Sequence, residues 1–92
     1  MVAIKTVHAR ITGQVQGVWF RVWLRDAATA RGLSGWVRNE ADGAVTALLS
    51  GPASEVDRMA ADLRHGPPRA QVGTVVLTPA DPPARADFDI LL

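Results

Sequence analysis

Nine consecutive residues, Gly13-Gln14-Val15-Gln16-Gly17-Val18-Trp19-Phe20-Arg21, offer the clearest opportunity for chemistry in this chain. Two glycines frame a short loop that runs directly into an amphipathic segment. Glycine tolerates positive φ and lets backbone come close to a ligand. A helix beginning there exposes unpaired N–H groups at the positive end of its dipole, so loop and helix together would form an anion pocket. Arg21 falls in the first helical turn, where a cation opposes the dipole at a cost of about 0.3–1 kcal/mol. A guanidinium fork aimed at the same anion would account for that placement. A turn followed by a solvated arginine accounts for the same residues equally well. No Gly-Lys-Ser/Thr follows, so the stretch is not a nucleotide-binding P-loop.

A second group is Gly32-Leu33-Ser34-Gly35-Trp36-Val37-Arg38-Asn39, leading into Asp42-Gly43. Unbroken alternation from Leu33 puts Asn39 on the same side as Leu33 and Val37, the side on which the Gly13–Arg21 loop would lie, and turns Arg38 away. An Asn carries both an acceptor and a donor, so it can hold a water without acting as a base. On the residues alone, the simpler reading is that Asn39 starts a turn. Zero cysteine excludes a thiol nucleophile, a disulfide scaffold and a thiolate metal site. His8 is expected on the exposed face of a strand and His65 at a helix C-terminus, and no His-centred triad or carboxylate pair accompanies either block. A covalent enzyme intermediate is therefore not expected.

These groups need elements to position them. Thr6–Thr12 alternates, with Val7, Ala9 and Ile11 on the covered side of a strand that Gly13 ends. From about Val18 to Arg31 the period changes: Phe20, Leu24, Ala27 and Ala28 make the stripe of an amphipathic helix, and Gly32 stops it. Leu33–Asn39 and Val45–Ser50 read as two strands joined by an Asp42-Gly43 hairpin turn. Val56, Met59, Ala60 and Leu63 mark a second helix with Ser54 as a candidate cap. Glu55, Asp57, Arg58, Asp62 and Arg64 form its wet side, and Gly66-Pro67-Pro68 ends it. Ala70–Thr78 gives a fourth strand, Pro79–Pro83 a turn, and Arg85–Leu92 a fifth strand. The order is β-α-β-β-α-β plus a short C-terminal strand: an α+β, ferredoxin-like sandwich with two helices on one face of an antiparallel sheet.

Length and composition restrict what such a fold can do. Ninety-two residues allow one domain, read over residues 1–92 with the first four expected outside its folded part. The 48% hydrophobic content and mean hydropathy of +0.09 suffice for a core. Net charge is only +1, too little for a protein held by phosphate neutralisation. The first and third strands also lack the stacking aromatics of an RNA-recognition sheet, so no nucleic-acid partner is expected. No apolar run approaches the roughly 20 residues of a membrane helix. The start, Met1-Val2-Ala3-Ile4-Lys5, lacks the features of a secretion signal. A cytoplasmic monomer without membrane partners is the expectation. Trp19, Trp23 and Trp36 read as packing or surface-edge aromatics, with Trp19 placed to reach the mouth of the loop pocket.

The two blocks, with Gly66-Pro67-Pro68-Arg69-Ala70 further on, resemble the acylphosphatases over nearly the whole chain. That resemblance implies hydrolysis of acyl phosphates, which are carboxyl phosphate anhydrides, to carboxylate and inorganic phosphate. It implies Arg21 as the catalytic phosphate-binding arginine and Asn39 as the residue orienting the attacking water. Backbone N–H groups of Gln14, Val15, Gln16, Gly17 and Val18 would cradle the phosphate. The expected partners are a small-molecule acyl phosphate and, as product or inhibitor, inorganic phosphate or a similar anion; no metal or other cofactor is implied. Gln14 departs from the arginine common in the family and removes one charge that would attract substrate. Met59 replaces a frequent aromatic in the core. The alternative within the same resemblance is a non-catalytic, anion-binding or acyl-phosphate-binding regulatory module.

Overall fold

The computed structural model describes residues 2–91. Its elements are β1 (Ile4–Gln14), α1 (Phe20–Ala30), β2 (Ser34–Asn39), β3 (Val45–Pro52), α2 (Ala53–Leu63), β4 (Gln71–Pro79) and β5 (Phe88–Ile90). The strands form one sheet in the order β4-β1-β3-β2-β5. The alternation read from the sequence decides which side of it is covered. Val7, Ala9 and Ile11 of β1, Val37 of β2, and Val45, Ala47 and Leu49 of β3 share one buried cluster with Phe20, Leu24 and Ala28 of α1 and Val56, Met59 and Leu63 of α2. Both helices therefore lie on one face. A fully buried leucine such as Leu24 contributes about 1.5–3 kcal/mol relative to an exposed one. Arg31 ties the helical layer together, its guanidinium bonding Glu55 at 3.1 Å and Asp62 at 2.5 Å on α2. Those two carboxylates are thus structural partners rather than merely the wet side of the helix.

The four strands β4-β1-β3-β2 pair antiparallel, as the sequence suggested, but β5 runs parallel to β2. The reason is topological. The proline-rich turn after β4 does reverse the chain, so β5 runs opposite to β4. It then crosses to the far edge and lands beside β2, which already runs opposite to β4. The sheet is mixed for that reason.

Three boundaries also move. β1 does not stop at Gly13 but passes through a bulge between Thr12 and Gly13 and pairs as far as Gln14 with Gln71. Regular structure begins at Ile4, and Ala3 O accepts the Ala53 N–H at 2.9 Å, so the fold takes in part of the first four residues. The fifth strand is only Phe88–Ile90, because the chain bends over residues 84–87; Leu92 lies outside the described residues. Ser54 is not a cap. Pro52 holds the N-cap position at φ −54° and ψ 131°, which puts Ser54 inside the first turn, and Asp57 pairs with Lys5 Nζ at 2.7 Å. Among the described residues no helix is long and apolar enough to cross a membrane.

Candidate active site

The bulge at Gly13 turns β1 out of the sheet and into the loop. A Cβ there would run into Gln71 O and Gly73 N, so the close approach of β1 to β4 at this point requires glycine. Val15 then plunges into the core at 1% exposure and pins the loop from below. Gly17 has φ 74° with open space around its Cα, so the backbone turn, not crowding, selects glycine there. Helix α1 follows with Trp19 at its N-cap, no side-chain cap and no acidic residue in its first turn. Its leading N–H groups are left for something other than a side chain of the cap.

The loop, the start of α1, the end of β2 and the last strand enclose a cleft of about 480 Å³. Arg21 and Asn39 both line it, with Val15 and Gly17 from the loop. Trp19, Phe20, Val22 and Ile90 supply its apolar walls. The other sequence-proposed residues are placed differently. Gln14 belongs to β1, Val18 is half-buried against the core, and neither lines the cleft. Gln16 turns its amide to the β2–β3 connection, with Nε2 donating to Glu40 O at 2.8 Å and Ala44 O at 2.9 Å.

Arg21, Arg64 and Arg69 lack a carboxylate partner among the described residues, and of the three Arg21 is the one that lines the cleft. Asn39 is distinctive in another way. Its Oδ1 is buried and has no hydrogen-bond partner, the one such side-chain atom among the described residues. A buried acceptor left unpaired costs about 1–3 kcal/mol, and the residue that bears this cost is one that lines the cleft. Arg38 does face away, with its guanidinium 5.0 Å from the Trp36 ring centroid. His8 packs edge-to-face on Trp36 at 5.8 Å, outside the cleft. No group of three or more His, Cys, Asp or Glu side chains among the described residues is arranged to hold a metal.

The sequence model of the acylphosphatase family matches residues 7–90, which takes in every cleft residue. The chain belongs to the acylphosphatase family. It is 47% identical to the acylphosphatase of Rhodospirillum rubrum over 85 residues, covering 92% of this chain and 93% of the relative. Among solved structures, an acylphosphatase from Coxiella burnetii superposes with a TM-score of 0.91 at 31% identity, over 96% of this chain and 93% of that one. The acylphosphatase from Bacillus subtilis also gives 0.91, at 28% identity over 98% and 100% of the two chains.

In this acylphosphatase-family site, the Asn39-bearing turn is firmly held. Glu40 accepts from Thr46 Oγ1 at 2.5 Å and from Arg38 Nε at 2.6 Å, while Asp42 takes Arg10 and the Ala44 N–H. These donors, Thr46 first for Glu40 and Arg10 first for Asp42, lower both carboxyl pKa values below their ordinary range. A group with a lowered folded pKa adds stability above its unfolded value, about 4 here, and loses it as pH falls through the folded value. The urea midpoint should therefore drop as pH falls below about 4, and Asp42→Asn should drop less over that range. An identical acid profile in the variant would exclude the Arg10–Asp42 pair as a cause. Gln16→Met keeps the chain length but removes both donors, and should cost about 1–2 kcal/mol for two lost hydrogen bonds, read by urea denaturation. Three features here escaped the sequence reading: the reach of Gln16 to the turn, the contribution of Ile90, and the left-handed backbone of Trp19. Only the last had any local signal, its position between a loop glycine and a helix start.

Proposed function

We propose that the cleft hydrolyses acyl phosphates by direct attack of a water held by Asn39. The phosphate lies at the N-terminus of α1, held by Arg21 and by N–H groups of the Val15–Trp19 loop. The water oxygen bonds to phosphorus as the phosphorus–acyl oxygen bond breaks. The carboxylate leaves with that electron pair, and the proton of the water passes to a phosphate oxygen, so an acyl phosphate dianion and water yield a carboxylate and dihydrogen phosphate. A carboxylate is a good leaving group, so positioning and charge stabilisation are enough for the barrier. This reading asks for no metal and no enzyme nucleophile. A cytoplasmic monomer belongs to the same proposal.

The placement of Asn39, whose buried Oδ1 lacks a partner, and of an arginine without an ion-pair partner in the lining of one cleft carries this reading. An Asn amide carries both an acceptor and a donor for a water and is too weak a base to remove its proton, which fits a role in orientation. The test is hydrolysis of benzoyl phosphate followed by ultraviolet absorbance, without added metal. Turnover by the wild type is expected. A folded wild type that binds phosphate and does not turn over would replace the hydrolase with the anion-binding module.

A further inference from the structure

Trp19 carries two burdens that the fold does not require. It is the non-glycine residue at positive φ among the described residues, at φ 64° and ψ 21°, a conformation that bulky L side chains rarely adopt. Two residues earlier the chain meets the same demand with Gly17 at φ 74°. The indole is also 75% exposed, more than any other large apolar side chain described. The other two tryptophans have partners: Trp23 packs on Phe20 at 5.3 Å, and Trp36 on His8 and Arg38. Among the described residues Trp19 has no such ring contact, and it lines the cleft, as do Val22 and Ile90.

The lining of the cleft is of two chemical kinds. Arg21, Asn39 and the loop amides are polar, and they suffice for a phosphate. Trp19, Val22 and Ile90, with Val15 and Phe20, are apolar, and a phosphate gains nothing from them. We propose that Trp19, with Val22 and Ile90, forms an acyl subsite that selects acyl phosphates with an aromatic or bulky apolar acyl group over those with a small one. This inference rests on reading the cleft as an acyl phosphate site. A planar acyl group gains from offset contact with the indole face beyond the area it buries. Such a role explains why the largest side chain occupies a backbone position that glycine would fill without strain.

The experiment compares kcat/KM for benzoyl phosphate and acetyl phosphate in the wild type, Trp19→Gly and Trp19→Phe. The benzoyl-to-acetyl ratio should fall roughly 3- to 10-fold in Trp19→Gly, the range expected for one aromatic contact, and largely persist in Trp19→Phe. Using the ratio within each protein removes the intrinsic reactivity of the two anhydrides. The melting temperature should hold in Trp19→Gly, because the exposed indole packs on nothing in the core and glycine accepts the backbone. Equal losses on both substrates, or a collapse of stability with an unchanged ratio, would overturn the subsite. Calorimetry with benzylphosphonate and methylphosphonate gives a readout independent of turnover. A wild type that hydrolyses neither anhydride but prefers benzylphosphonate, with that preference lost in Trp19→Gly, overturns the hydrolytic reading and keeps the subsite. Equal affinities for the two phosphonates overturn the subsite whatever the hydrolysis shows.

Discussion

Arg21→Ala is expected to lower kcat/KM for benzoyl phosphate by about 10³-fold or more while leaving the protein at least as stable as the wild type. The rate estimate follows from the loss of a charged donor to the equatorial phosphate oxygens, where single arginines are worth about 10³–10⁵. The stability expectation comes from the placement of the residue. Arg21 has no ion-pair partner among the described residues and sits in the first turn of a helix whose positive end it opposes. Removing it relieves about 0.3–1 kcal/mol of unfavourable dipole interaction. Both binding and chemistry should suffer, so kcat falls and KM rises together. Arg21→Lys should recover little, because an ammonium is a point charge without the two parallel donors of the fork. Activity within tenfold of wild type in a folded Arg21→Ala protein would remove the residue from the mechanism.

Asn39→Ala should have a different signature. With the phosphate still held by Arg21 and the loop, KM and inhibition by inorganic phosphate should change little, whereas kcat should fall by about 10²–10³-fold, the cost of losing one positioned hydrogen bond to a reacting group. Stability should not fall for want of a hydrogen bond, since Oδ1 makes none within the protein. A rise in KM with kcat preserved would assign Asn39 to substrate binding instead of water placement. The two variants separate because, in the proposed mechanism, Arg21 touches the charge that is present before and during reaction, while Asn39 acts only on the nucleophile.

Much of this arrangement was legible because it is local. The 2-residue period of Val7, Ala9 and Ile11 and the 3.6-residue stripe of Phe20, Leu24 and Ala28 placed the covered face of the sheet correctly. Once Val37 faces inward, alternation carries Asn39 to the same side, and the residue lines the cleft. What escaped depends on pairing between distant segments. Gln16 reaches across 24 residues to Glu40 O, and such a side-chain-to-backbone bond leaves no pattern around either end. Nor could the sequence show which strand β5 would join, so its parallel pairing and the arrival of Ile90 in the cleft were invisible. The Ser54 cap failed because Pro52 already offered the extended φ and ψ of an N-cap one position before Ala53.

The interior position of β1, between β4 and β3, has a kinetic consequence. Its partners come from far along the chain: Ile4 pairs with Pro52 in β3, and Val7 with Pro79 in β4. The β2–β3 hairpin and the two helices can form from neighbouring residues, but β1 must close long loops before its pairing repays the lost entropy. The loop that opens the cleft is anchored at the end of β1, where Gly13 and Gln14 pair with Val72 and Gln71. The cleft is therefore assembled by the slow, long-range step, and a collapsed chain with both helices in place still lacks it. During refolding, recovery of the site should follow helix formation and coincide with the final docking of β4.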